Sequence, residues 1–217
     1  MKPLEIVRPG EKVSLLCIGA HSDDIEIGAG GTILSWLRAG VILDVHWCVL
    51  SAAGPRASEA RASAEQFLAG AANVNIELAD FEDSYFPYLG GAVKGWMQKL
   101  KERVDPDIVL THRATDAHQD HRELCQLTAN AFRDNLILEY EIPKWDGDLD
   151  KANIYVPLQA SVLDQKIGLL MKHFGSQRSK QWFDDETFRA LARLRGMECR
   201  APDRYAEAFV VRKAVLN

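Results

Sequence analysis

Val13-Ser14-Leu15-Leu16-Cys17-Ile18-Gly19-Ala20-His21-Ser22-Asp23-Asp24-Ile25-Glu26 runs from an apolar stretch straight into a polar cluster. A second stretch repeats the arrangement: Ile108-Val109-Leu110-Thr111 is followed, a few residues on, by Asp116-Ala117-His118-Gln119-Asp120-His121. Each apolar run has the length and composition of a buried strand. In a parallel α/β sheet, ligands gather beyond the carboxyl ends of the strands, where the strand order reverses. Two His/Asp clusters that each leave a strand at that edge can therefore meet in space.

Working outward, the pattern alternates between strands and helices. Residues 13–20, 41–50, 73–78 and 107–111 read as strands. Helices are expected over 30–38 (Ile33, Leu34 and Leu37 on one side, Gly40 closing it), 55–72, 93–104 and 120–133. Alternation at this spacing implies right-handed crossovers and a mostly parallel sheet. The expected fold is α/β, a Rossmann-like three-layer sandwich, with residues 1–217 as a single domain. If the first and fourth strands are neighbours, the switch point falls between the two clusters. Further on, the sequence predicts a strand over 136–142 and a turn-rich loop over 143–149. It predicts helices over 161–174 (Ser161 as N-cap, Gly175 as stop) and 184–195, and a strand over 205–215.

Composition narrows the function classes. The 217 residues are 47% hydrophobic and 26% charged, a globular balance. A net charge of −5 offers no basic footprint for nucleic acid. No apolar run reaches the length of a membrane span, and residues 1–12 lack the apolar core of a signal peptide. Cys17, Cys48, Cys125 and Cys199 form no C-x-x-C pair, so reduced thiols and a cytoplasmic location are expected.

Either polar cluster alone reads equally as a helix cap or a solvated loop. Together they supply two imidazoles and a carboxylate, which would leave open positions on a metal as hydrolytic sites require. The same donors would also suit a non-haem Fe(II) oxygenase. Against that stands the adjacent pair Asp23-Asp24, which offers a second carboxylate that an oxygenase does not need. The glycines of Gly28-Ala29-Gly30-Gly31 open a helix and would suit a phosphate, which leaves a non-catalytic nucleotide-binding protein as a third reading. The stretch lacks dinucleotide-fingerprint spacing, however, and close packing of helix on sheet explains the glycines more simply. His46 and His112, within or at the end of apolar strands, read as structural histidines.

The chain resembles the LmbE-like, or PIG-L, family of metal-dependent N-deacetylases. Ala20-His21-Ser22-Asp23-Asp24-Ile25-Glu26 is similar to its Ala-His-Pro-Asp-Asp-Glu motif, and His118-Gln119-Asp120-His121 to its His-Pro-Asp-His motif. The likeness extends over Gly28-Ala29-Gly30-Gly31-Thr32-Ile33, Arg56-x-x-Glu59, Pro106-Asp107-Ile108-Val109, His173-x-x-Ser176-Gln177 and Tyr205-Ala206-Glu207-Ala208-Phe209. Ser22 and Gln119 stand where the family has proline, which would stiffen each turn. The resemblance implies His21, Asp24 and His121 as metal ligands, typically to Zn2+, with Fe2+ or another divalent ion as an alternative. It implies Asp23 as general base, and a substrate such as an N-acetylglucosamine conjugate or another amide. His118, if protonated, would stabilise the oxyanion, with Asp120 orienting an imidazole or capping a helix. Arg56 and Asp83 match substrate-side positions. Trp145 and Asp146 offer a stacking face and a hydroxyl acceptor for a sugar ring. The expected partner is a small N-acetylated molecule, with no nucleic acid and no membrane span; a homo-oligomer is compatible with the sequence.

Overall fold

The computed structural model describes residues 2–215. The chain runs β1 (Lys12–His21), α1 (Asp24–Arg38), β2 (Ile42–Ser51), α2 (Pro55–Phe67), β3 (Asn73–Leu78), α3 (Gly90–Lys101), β4 (Ile108–His112) and α4 (Gln119–Ala131). It continues through β5 (Leu136–Tyr140), β6 (Ile154–Leu158), α5 (Ala160–His173), α6 (Asp185–Cys199) and β7 (Tyr205–Val210). The strands form one seven-stranded sheet in the order β3-β2-β1-β4-β5-β7-β6. The first five are parallel, and β7 runs antiparallel between β5 and β6. β1 and β4 are neighbours, with Leu15 opposite Ile108 and Cys17 opposite Leu110, so the order reverses between them.

Alternation along the strands builds the three layers. In β1, Val13, Leu15 and Cys17 face a core shared with α1, α2, α5 and α6. Leu16, Ile18 and Ala20 face the opposite core, shared with α3 and α4. Both faces are covered, as a parallel sheet requires. No helix among the described residues is long and apolar enough to cross a membrane.

Several boundaries differ from the sequence reading. α1 begins at Asp24, six residues before expectation, because the polar cluster is itself the first turn. Asp24 and Glu26 lie where the helix N-terminus favours acids. α2 stops at Phe67 rather than 72; Gly70 follows at φ 107°. β6 is an element the sequence reading did not include; it is an edge strand, where Pro157 is tolerated. Ser161 does not cap α5. Its hydroxyl accepts from Arg38 at 2.7 Å, and the helix-start N–H of Ala160 goes to the Asp203 carboxylate at 3.0 Å. β7 ends at Val210, not 215, and β5 at Tyr140, not 142.

The glycines of α1 let the helix lie close to its neighbours. A Cβ on Gly28 would come within 2.2 Å of the Tyr140 ring, and one on Gly30 within 2.6 Å of Phe67. A Cβ on Gly31 would meet Leu158 at 2.7 Å and Glu207 at 2.8 Å. The Glu207 carboxylate accepts from Gly31 N at 2.7 Å and Thr32 N at 2.6 Å, and Lys166 Nζ pairs with it at 2.6 Å. This stretch therefore packs against protein and leaves no room for a phosphate. Gly28→Ala is expected to cost roughly 1–3 kcal/mol by overpacking. Gly95→Ala, on exposed helix with nothing within 4 Å, should instead gain about 0.5–1 kcal/mol. Chemical denaturation of the two variants reads the contrast.

Candidate active site

The ends of β1 and β4 and the starts of α1 and α4 bring the two polar clusters together. His21 Nδ1 lies 3.1 Å from His121 Nε2 and 3.3 Å from Asp24 Oδ2. His121 Nε2 lies 3.4 Å from the same oxygen. Three donor atoms thus form a nearly equilateral triangle, and all three residues are buried. Ligand bonds of about 2.0–2.2 Å in a tetrahedral site imply donor separations of about 3.3–3.6 Å. The chemistry and spacing of the donors therefore fit a divalent metal.

Each imidazole has a carboxylate behind it. His21 Nε2 meets Asp120 Oδ2 at 3.3 Å and Asp83 Oδ1 at 3.0 Å. His121 Nδ1 lies 3.1 Å from Asp116 Oδ2, close but out of line for a full hydrogen bond. Such partners fix the ring orientation and raise the basicity of a ligating histidine. Burial lowers the basicity of His21, but Asp120, Asp24 and Asp83 outweigh it and hold the ring well above the usual range. Asp116 is held in turn by Lys144, whose Nζ reaches it at 3.0 Å and Asp148 at 2.8 Å.

Asp23 stands at the N-cap position of α1 without capping it. Its Oδ1 instead takes the Arg56 guanidinium at 3.2 Å, and Arg56 also lies 3.6 Å from Asp83 Oδ2. Arg56 enters α2 directly behind Pro55 and Gly54, the latter at φ 56°, a conformation suited to glycine. Burial raises the Asp23 pKa, the Asp24 charge adds to the rise, and Arg56 opposes it. Asp83 is half-exposed and held low, chiefly by His21.

His118 caps α4, its Nδ1 accepting the Asp120 N–H at 3.2 Å. Burial and His121 hold it below the usual imidazole range, so the neutral ring with Nε2–H is favoured. A protonated His118 is thus not needed to offer a donor, which revises the sequence expectation. The Asp120 carboxylate neither caps nor pairs with His118. It accepts Ser84 N at 2.6 Å and Phe86 N at 3.1 Å, fastening the loop that carries Asp83. Hydrogen bonds hold both turns; of the two residues that stand in place of proline, the Gln119 side chain makes one, whereas Ser22 Oγ has no partner. His21 N donates to Asp24 Oδ2 at 2.7 Å, His118 N to Asp116 Oδ1 at 2.8 Å, and Gln119 Nε2 to Ser84 O at 3.1 Å.

Trp145 and Asp146 lie on the exposed loop after β5. Trp145 is 66% exposed and meets Trp182 edge-to-face at 6.2 Å. No described contact joins either residue to the His/Asp cluster; Lys144 makes that link for the loop. His112, read as structural, lies inside the site. Its Nε2 accepts Ala20 N–H at 2.9 Å and sits 3.1 Å from Asp24 Oδ2, and its ring stacks on His121 at 3.8 Å. Burial, reinforced by His121, pushes it down to about 4, and its lone pair is already engaged, so it serves as a neutral support. Its position ending β4 was the available signal. Asp116 could have been found by its place in the second cluster; Lys144 carried no motif.

Residues 16–132 match the family described as PIG-L, GlcNAc-PI de-N-acetylase. No curated protein matches the chain. Among solved structures, N,N'-diacetylchitobiose deacetylase from Pyrococcus horikoshii is 21% identical, with a TM-score of 0.68 over 91% of this chain and 83% of that one. The 4-carboxy-2-hydroxymuconate hydratase GalB from Pseudomonas putida KT2440 is 19% identical, with a TM-score of 0.71 over 94% and 98%. The A40926 pseudoaglycone deacetylase Dbv21 is 17% identical, with a TM-score of 0.71 over 94% and 98%. These likenesses show the fold, which is shared by deacetylases and a hydratase alike.

Asp120→Ala would strip two backbone N–H groups of their acceptor, that of exposed Ser84 and the buried one of Phe86, the buried one alone costing about 1–3 kcal/mol. The expected outcome is a clear loss of stability and faster amide hydrogen exchange at Ser84 and Phe86. Unchanged exchange there would show that the loop is held by other means.

Proposed function

The chain belongs to the PIG-L family, and from that premise we propose that it is a metal-dependent N-deacetylase that hydrolyses the acetamide of an N-acetylated amino sugar or its conjugate. The observation that carries this reading is the donor triangle of His21, Asp24 and His121 with a separate buried carboxylate, Asp23, beside it. Two nitrogens and one oxygen are a donor set that zinc takes in hydrolytic sites and that also suits Fe2+. His118 is also within ligand reach of His21 and His121, but its Nδ1 is committed to the cap of α4. A bound metal would acidify a water and polarise the amide carbonyl.

The remaining work falls to side chains. Asp23 takes the proton from the attacking water and passes it to the departing amine. Its burial raises its basicity towards that task, while Arg56 keeps the carboxylate ionised and aimed. His118 Nε2–H donates to the oxyanion of the tetrahedral intermediate. Asp120 and Asp116 orient the two ligand imidazoles. Arg56 and Asp83, at the open side, face the substrate's hydroxyls, and Trp145 and Asp146 receive its remote part. The Asp23–Arg56 pair favours hydrolysis over an oxygenase, and the packed glycines of α1 speak against nucleotide binding. Incubation of metal-loaded protein with a panel of N-acetyl amino sugars should release primary amine and acetate in equal amounts. Release from none of the panel, or oxygen consumption instead, contradicts the proposal.

Substitution separates ligand from base. His21→Ala, Asp24→Ala and His121→Ala are each expected to lose bound metal. Asp23→Asn should keep the metal and lose about 10²–10⁴-fold in turnover, the usual worth of a positioned acid–base group. Metal analysis beside initial rates checks both halves, and an active Asp23→Asn would remove Asp23 from the role of base.

His118→Ala should lower kcat by roughly 10²–10³-fold, on the scale of one oxyanion donor, with metal content and KM nearly unchanged. Metal lost with His118 yet retained without His121 would mean that the two histidines hold exchanged roles.

A further inference from the structure

A second group of metal-ligating side chains lies between β2 and the edge strand β3. His46 and Cys48 are two apart on β2, so both face the side of the sheet that α3 covers, where Cys48 joins the core. In the parallel register Asn75 of β3 stands beside His46, and Glu77 beside Cys48. One donor atom from each of His46, Cys48 and Glu77 lies within 4.8 Å of the other two. His46 Nε2 and Glu77 Oε2 are 3.3 Å apart. The group is remote from the crevice. Ser51 is level with His21 but His46 is level with Leu16, five residues back along the sheet, at roughly 3.3 Å per residue.

The surroundings orient these donors. The Asn75 amide lies 3.4 Å from His46 Nδ1. With its oxygen turned to accept the Nδ1 proton, the Nε2 lone pair faces Glu77 and Cys48. Burial works against ionisation of Glu77, but Arg103 and His46 outweigh it and hold the carboxyl below its usual range. Arg103 spans both Glu77 oxygens at 3.1–3.2 Å from a half-exposed position. Such exposed pairs contribute little, so a cation that gains a thiolate, an imidazole and a carboxylate together can take Oε2 from it. Burial keeps the free Cys48 thiol protonated; a metal ion that binds the sulfur displaces that proton to solvent. A cavity of about 260 Å³ lined in part by His46, Asn75 and Arg103 gives an ion its entry and a water the remaining position.

We propose that His46, Cys48 and Glu77 form a second metal site, for a thiophilic divalent cation of the zinc class, which clips the edge strand β3 to β2. One sulfur with one nitrogen and one oxygen is a donor set zinc takes, whereas magnesium and calcium take oxygen alone. β3 buries little of its own surface, so a link through Glu77 adds to what holds it. The site goes beyond the deacetylase reading and does not depend on it.

Cobalt(II) is the probe. A cobalt–thiolate bond gives an intense near-ultraviolet charge-transfer band that nitrogen and oxygen ligands do not, and the ligands in the crevice include no sulfur. Metal-free, reduced full-length protein is titrated with cobalt chloride. The band should appear in the wild type and equally in Asp24→Ala, where the crevice lacks a ligand, and there reach full height at about one bound cobalt per chain. Cys48→Ala should abolish it, and His46→Gln should weaken cobalt binding at least about tenfold. His46 is only half-buried, so His46→Gln reads the site even where Cys48→Ala is unstable. Zinc added in excess should bleach the band and raise the Tm of Asp24→Ala but not of Asp24→Ala with His46→Gln. Cobalt bound without the band, a band that survives Cys48→Ala or is unchanged in His46→Gln, or one lost with Asp24→Ala overturns the site. A band that zinc leaves in place overturns zinc as its ion, and a Tm that zinc leaves unmoved overturns the clip.

Discussion

The pairing of β1 with β4 is the constraint on which the site depends. These strands lie side by side in parallel, although helices and two other strands separate them in the chain. Their carboxyl ends therefore deliver His21 and His121, a hundred residues apart, to within 3.1 Å. Crossovers diverge to opposite faces at this switch point, leaving a crevice that neither layer fills. Both strands are buried on both faces, so the positions of the polar residues at their ends are set by the packing of the whole sheet.

Holding four carboxylates and four imidazoles in one crevice is costly unless each is paired. The structure meets that demand in layers. Asp24 accepts a backbone N–H and faces three imidazoles, and Asp120 accepts two backbone N–H groups. Asp116 takes Lys144 and a backbone N–H, and Asp23 takes Arg56. Helix α1 can seat its acidic first turn here because its glycines let it approach Tyr140, Phe67 and Glu207 closely. The fold thus concentrates negative charge at a point where a divalent cation would relieve it.

The fold was legible because its signals are local and repeated. Apolar runs gave β1 to β5 and their crossovers, and the third strand was read with its full extent at Asn73–Leu78. The Arg56-x-x-Glu59 motif split usefully, with one residue facing the site and the other anchoring Ser176. What escaped was non-local. Asp203 serves α5 from 43 residues away, and no cap rule reaches that far. His112 looked like the end of an apolar strand, which it is; only the register of β1 on β4 places it against Asp24. Lys144 lies in an irregular segment, where spacing carries no geometric information.

The most direct test of the account is the position of the metal itself, by anomalous diffraction from crystals of the zinc-loaded protein. The account predicts one ion about 2.0–2.2 Å from His21 Nδ1, an Asp24 carboxylate oxygen and His121 Nε2, with Asp23 outside the coordination sphere. An ion bound through His118 in place of Asp24, or coordinated by Asp23, would contradict it.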